Sequence, residues 1–196
     1  MTVETRPETS EFPKWMTREQ FLGSLSEIDR GNLLTLIAFL TGLDDLKDKF
    51  DDGTAGLFVV GSSAVPKEVL GRDANDIDLR LVMREKPEDF HELFMLMHNL
   101  YDTYKQSGLV DNFGEPRFNW HYEEDLSTDN PFIRFQPQEG RPIDIFLPFI
   151  TYDKDLDWFL RDHEHHLNNL GRELSERHAE GREEMIQKRA YIVPLT

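Results

Sequence analysis

Val59-Val60-Gly61-Ser62-Ser63 and, beyond a segment ending at Asn75, Asp76-Ile77-Asp78-Leu79-Arg80-Leu81-Val82 are the stretches whose reading decides the fold. Leu57 to Val60 is a short apolar run, half of it β-branched, that stops at a glycine, the pattern of a buried strand ending in a turn. Asp76 to Val82 alternates polar and apolar residues, which predicts a strand with one polar face. Residues i and i+2 on such a strand share a face with Cα atoms about 6.5–7 Å apart. The carboxylates of Asp76 and Asp78 can therefore converge. Two unpaired carboxylates repel by about 4 kcal/mol at 4 Å and an effective dielectric of 20. A hard divalent cation relieves that cost, and oxygen-only ligands favour Mg²⁺ or Mn²⁺. Protonation of one carboxyl, as in an acid/base dyad, relieves it too.

Outward from this pair, Asp144 is a lone acid between Ile143 and Ile145 in a second strand candidate, Ile143 to Leu147. Set beside the first strand, it would bring three carboxylates to one sheet face, enough to bridge two metals about 3.5–4 Å apart for phosphoryl or nucleotidyl transfer. Gly61-Ser62-Ser63 offers a complementary feature. A glycine at a strand end lets the backbone approach a phosphate, and a helix starting there presents free N–H groups to anionic oxygens. A lone Gly-Ser-Ser is usually only a turn, and a lone Asp-x-Asp only a solvated strand face. For Asp144 the competing reading is an ion pair with Arg141 or Arg134. Lys67, Arg72 and Arg80 lie near enough in sequence to meet a phosphate, but each reads singly as a surface charge.

The combination of Val59-Val60-Gly61-Ser62, the spacer Ser63 to Asn75, and Asp76-Ile77-Asp78-Leu79 resembles the signature of the DNA polymerase beta-type nucleotidyltransferase superfamily, in its minimal, antibiotic-nucleotidyltransferase-like form. The resemblance spans residues 55–148. It implies an α+β fold, a small mixed β-sheet flanked by helices. It implies that Asp76 and Asp78 bind both metals, that Asp144 binds the catalytic one and helps activate the acceptor hydroxyl, and that Gly61, Ser62 and Ser63 hold the triphosphate of an NTP such as ATP. The stretch between Asp78 and Asp144 is long for a minimal member, so an insertion around 109–130 is expected, placed to shape an acceptor pocket.

The 196 residues suit one core domain with a helical appendage, and 38% hydrophobic residues with 14 Phe suffice for a core. We expect a lead-in over 1–16, a core over 17–150 and a helical tail over 151–196 packed on it. Thr17 with Gln20 predicts a capping box opening a helix with Phe21, Leu22, Leu25 and Ile28 on its apolar face. Asn32 is expected to cap a second helix, Leu33 to Leu43, with Asp44 to Gly53 closing that layer. Val65 to Leu70 reads as helical. Pro87 suits the first turn of a helix carrying Phe90 to Tyr104, stopped by Gly108, on which Met95 and Met97 fit the sheet-facing side. Phe118 to Tyr122 is a strand candidate, and Phe132 to Phe135 with Ile143 to Leu147 reads as an antiparallel hairpin. His163, His165 and His166 are ligand types without a closing set and read as no zinc site. Arg161 and His166 echo a ribonuclease motif by chance, since too little helical sequence surrounds them.

The formal charge of −16 argues against a grip on extended duplex nucleic acid, which needs a Lys/Arg surface. No apolar run nears the roughly 20 residues of a membrane span, the start lacks a signal-peptide layout, and the absence of cysteine rules out disulfides and thiolate metal sites. A cytoplasmic protein is expected. The function expected is transfer of an NMP from an NTP to an acceptor hydroxyl on a small molecule, a protein or a tRNA end, with release of pyrophosphate. The rivals are a non-catalytic nucleotide-binding or antitoxin-type module that keeps the fold and inhibits a partner protein, and a phosphohydrolase using the same acids.

Overall fold

The computed structural model describes residues 14–83, 90–119, 132–146 and 191–196. The architecture is α+β, as expected. Strands β1 (Lys14–Trp15), β2 (Ala55–Val60), β3 (Ile77–Met83), β4 (Arg117–Asn119), β5 (Phe132–Phe135), β6 (Ile143–Phe146) and β7 (Tyr191–Pro194) form one mixed sheet in the order β1-β7-β2-β3-β6-β5-β4. β3 and β6 are parallel, as are β1 and β7, and the remaining pairs are antiparallel.

Among the described residues three helices precede β2. Thr17 caps α1 (Arg18–Ser24) through the expected reciprocal box with Gln20. The expected continuation through Ile28 does not occur. Leu25 is extended, and the Ser26 side chain accepts the Asp29 N–H to start α2 (Glu27–Thr41), so Ile28 turns outward and is exposed. Asn32, expected as a cap, sits inside α2 and donates its Nδ2 to the Glu139 carbonyl at 2.8 Å. The acidic segment after Leu43 is itself a helix, α3 (Asp44–Asp51), with Asp44 and Asp45 in its first turn and Lys49 in its last, matching the macrodipole.

Alternation along the strands separates two faces. Leu57, Val59, Ile77, Leu79, Leu81, Ile133, Phe135, Ile143 and Ile145 form one buried cluster with Leu33, Leu36 and Leu40 of α2 and with Met97, Leu100 and Tyr104 of α5 (Phe90–Gln106). Gly108, in the left-handed region at φ +78, follows the end of α5 as expected. Met97 is buried, but Met95 is 40% exposed and does not contribute to the core. Tyr104 donates its hydroxyl to the Gly114 carbonyl (2.8 Å) and packs on Phe135 at a ring distance of 5.2 Å. That contact ties α5 and the short α6 (Val110–Phe113) to β5.

Two expectations about the chain ends change. Lys14 and Trp15, read as part of a lead-in, pair with Tyr191 and Ile192. Residues 191–194, read as part of a helical tail, form a strand inserted between β1 and β2, with Leu195 N–H bonded to the Leu57 carbonyl at 2.8 Å. The expected insertion around 109–130 supplies α6 and edge strand β4 over its described part. The remainder of the expected tail, with His163, His165 and His166, lies outside the described residues, as does most of Phe118 to Tyr122. Among the described residues no helix is long and apolar enough to cross a membrane.

Candidate functional site

The second sheet face carries the charged residues, and strand register places them. Directly paired residues share a face, so Val60, Asp78, Asp144, Arg134 and Arg117 form one row across β2, β3, β6, β5 and β4. Phe58, Arg80, Phe146 and Phe132 form the next. In that second row the Phe132 and Phe146 rings lie 5.3 Å apart, and the Arg80 guanidinium sits 5.6 Å from the Phe146 ring.

Asp76 immediately precedes β3, and Asp78 is its second residue. The parallel pairing of β3 with β6 sets Asp78 beside Asp144, and one carboxylate oxygen from each of Asp76, Asp78 and Asp144 lies within 4.8 Å of the others. The convergence expected from the sequence is present. The donor set is entirely oxygen and close enough to share one ion, so it fits a hard divalent cation such as Mg²⁺ or Mn²⁺.

Asp144 is 3% exposed. Its two oxygens accept a forked pair of bonds from Arg134, Nε to Oδ1 at 2.7 Å and Nη2 to Oδ2 at 2.5 Å. The same Nη2 reaches Asp76 at 3.4 Å. Asp144, with weaker help from Asp76 and Asp78, holds the guanidinium still more firmly in its charged form, against a smaller opposing effect of burial. Of the two arginines considered for Asp144, Arg134 is its partner. Arg141 instead gives its backbone N–H (2.8 Å) and Nε (3.0 Å) to Asp29 on α2. That pair, with the Asn32 bond to Glu139, anchors the β5–β6 connection on α2 and so fixes where Asp144 stands.

Gly61 has φ +67, and a Cβ there would meet Asp78 Oδ2 at 2.5 Å. The position needs glycine for conformation and for space. The chain then makes a 3₁₀ turn, Gly61–Ala64, and only a four-residue helix, α4 (Lys67–Leu70), instead of a helix from Val65. Pro66 explains the delay, because the residue before a proline is pushed to extended backbone, and Val65 sits at φ −84, ψ 128.

Ser63 is buried. Its Oγ donates to the Val60 carbonyl at 2.8 Å and accepts the Asp78 N–H at 3.0 Å. The hydroxyl proton is thereby engaged in bracing the turn against β3. Ser62 is half-buried in the same turn. Lys67 pairs with Asp73 at 2.7 Å, both largely exposed, and Arg72 donates to the Asp73 carbonyl at 3.4 Å.

The residue underweighted in the sequence is Arg134, read there only as one of two possible partners for Asp144. Finding it required the β5–β6 register, which the alternation of Phe132-Ile133-Arg134-Phe135 suggests but does not fix.

No protein-family model and no curated protein matches the sequence. Solved structures with some likeness include terminal uridylyl transferase 4 from Trypanosoma brucei with bound UPU, at 13% identity over 80% of this chain and 45% of that one, with a TM-score of 0.37. A cytoplasmic RNA terminal U-transferase is 15% identical over 78% of this chain and 42% of that one (TM-score 0.36), and a CCA-adding enzyme with CTP is 15% identical over 80% and 27% (TM-score 0.32). The chain spans less than half the length of each of these three structures.

Proposed function

We propose that this chain is a divalent-metal-dependent nucleotidyltransferase that moves an NMP from an NTP to an acceptor hydroxyl and releases pyrophosphate. The observation that carries the reading is the convergence of Asp76, Asp78 and Asp144 within 4.8 Å, directly beside the glycine turn that touches Asp78. Asp76, Asp78 and Asp144 would hold Mg²⁺ or Mn²⁺, which when bound supplies Lewis-acid charge at phosphate oxygens. Backbone N–H groups of Gly61 and Ser62, with the Ser62 hydroxyl, would hold the triphosphate. Ser63, assigned to that role from the sequence, supports it indirectly by fixing the turn. An acceptor O–Pα bond forms as the bond from Pα to the pyrophosphate oxygen breaks, and the hydroxyl proton passes to a carboxylate oxygen of Asp144. The acidic chain favours a small molecule, a protein side chain or a single RNA end as acceptor over long nucleic acid.

One observation favours the non-catalytic rival: Arg134 engages both oxygens of Asp144, as a purely structural ion pair would. Incubation with NTPs labelled at the α-phosphate, Mg²⁺ and cell lysate separates the readings. Label on an acceptor with pyrophosphate released supports transfer, and released inorganic phosphate points to a phosphohydrolase. No turnover together with no Mg²⁺-dependent NTP binding favours the non-catalytic module.

A further inference from the structure

We propose that Arg134 is a resident counter-ion of the acid cluster and sets how tightly the cluster takes a divalent cation before nucleotide is present. The inference rests on the metal-site reading above and adds to it a residue that binds no metal.

Among the described residues three carboxylates share this part of the sheet face, and the strand-anchored guanidinium of Arg134 touches two of them. Register, and not side-chain chance, puts it there, because Arg134 is the paired residue of Asp144 in the β5–β6 ladder. The forked bonds hold the planar group in a single orientation. Arginine does not give up its proton at any ordinary pH, so the charge is permanent. The three acids and Arg134 together carry a formal charge of −2, which one divalent cation balances. A second divalent cation would leave the cluster positive unless an anion such as a triphosphate entered with it.

Two consequences run in opposite directions. With no metal bound, Arg134 offsets the repulsion among the acids and stabilises the fold. With a metal arriving, the same charge repels it and competes for Asp144. Removing the charge should therefore lower the stability of the metal-free protein and raise its affinity for metal. A residue that merely supported the sheet would lower the first and leave or lower the second.

The test is calorimetric titration of nucleotide-free protein with Mn²⁺, alongside metal-free melting, for the wild type and Arg134→Gln. We expect Arg134→Gln to bind Mn²⁺ about tenfold tighter or more and to melt lower without metal. Equal or weaker Mn²⁺ binding in Arg134→Gln, with the wild type binding, overturns this proposal and leaves the metal site standing. No Mn²⁺ binding by either protein overturns both. Should Arg134→Gln fail to fold, the wild type carries the test through the Arg134 Nε–H resonance, identified by its absence in Arg134→Lys. That resonance should shift on adding Mg²⁺, and an unmoved signal at saturating Mg²⁺ overturns the proposal.

Discussion

Gly61 and Asp78 are in contact across the β2–β3 pair, so closely that a methyl group on Gly61 would stand 2.5 Å from Oδ2 of Asp78. The turn that would hold a phosphate and a carboxylate that would hold a metal are thus one packed unit. Gly61→Ala should push Asp78 aside as well as strain the backbone. We expect a loss of about 1–3 kcal/mol in urea unfolding and, beyond that, a clear weakening of Mn²⁺ binding. Gly53→Ala is the control, since Gly53 also has positive φ (+75) but nothing within 4 Å of its added methyl. It should lose stability and keep its metal affinity.

The three acids should not behave alike. Asp76→Asn and Asp78→Asn remove charge from a crowded cluster and are expected to abolish transfer with the melting temperature unchanged or raised. Asp144→Asn deprives Arg134 of its charged, forked partner in a buried position and should cost about 1.5–3 kcal/mol. Melting curves of the three variants side by side check the contrast, and equal stability losses for all three would contradict it.

Ser62 and Ser63 separate in the same manner. Ser63→Ala leaves the Asp78 N–H and the Val60 carbonyl without their partner and should cost about 1–3 kcal/mol. Ser62→Ala should stay within about 0.5 kcal/mol of wild type while raising the KM for NTP. The measurement is denaturant unfolding paired with steady-state kinetics.

Asp29 predicts an acid sensitivity that arises outside the acid cluster. Burial pushes its carboxyl up, but the Arg141 backbone N–H, the Ser26 hydroxyl and the Arg141 guanidinium outweigh that, so it lies below its ordinary value of 3.8. A depressed carboxyl contributes stability above the unfolded pKa and loses it as pH falls through the folded one. Wild type should therefore lose stability on acidification below about pH 4 more steeply than Asp29→Asn. That variant should be less stable at neutral pH by about 1.5–3 kcal/mol. Parallel slopes for the two proteins below pH 4 would contradict this.

The parts of the fold legible in the sequence are those written locally. Gly61, the alternation from Asp76 to Val82, the Thr17–Gln20 box and the Phe132 to Phe146 hairpin each carry their signal within a few residues. Ser26 carries one too, but the apolar positions Leu25 and Ile28 continue the helical period across it and conceal the break. At Val65 the helical pattern of its neighbours masks the constraint imposed by Pro66. The strand at Tyr191–Pro194 is not legible, since a four-residue run containing a proline declares itself only through the partners it finds at Phe58 and Val59. For the candidate site, residue identity is local information and Arg134's part is not, because it depends on which residue of β5 stands opposite Asp144.

The position of β7 has a consequence for the order of folding. Val193 joins Val59 across roughly 130 residues of chain, a closure whose entropy must be met before any contact repays it. β1 in turn reaches the sheet through β7. The β2–β3 pair can form from neighbouring sequence, whereas this edge must wait for a distant segment to arrive and then recruits a second one. It should assemble last and open first. Amide exchange of Leu195, whose N–H is bonded to Leu57, should accordingly run ahead of exchange within β3.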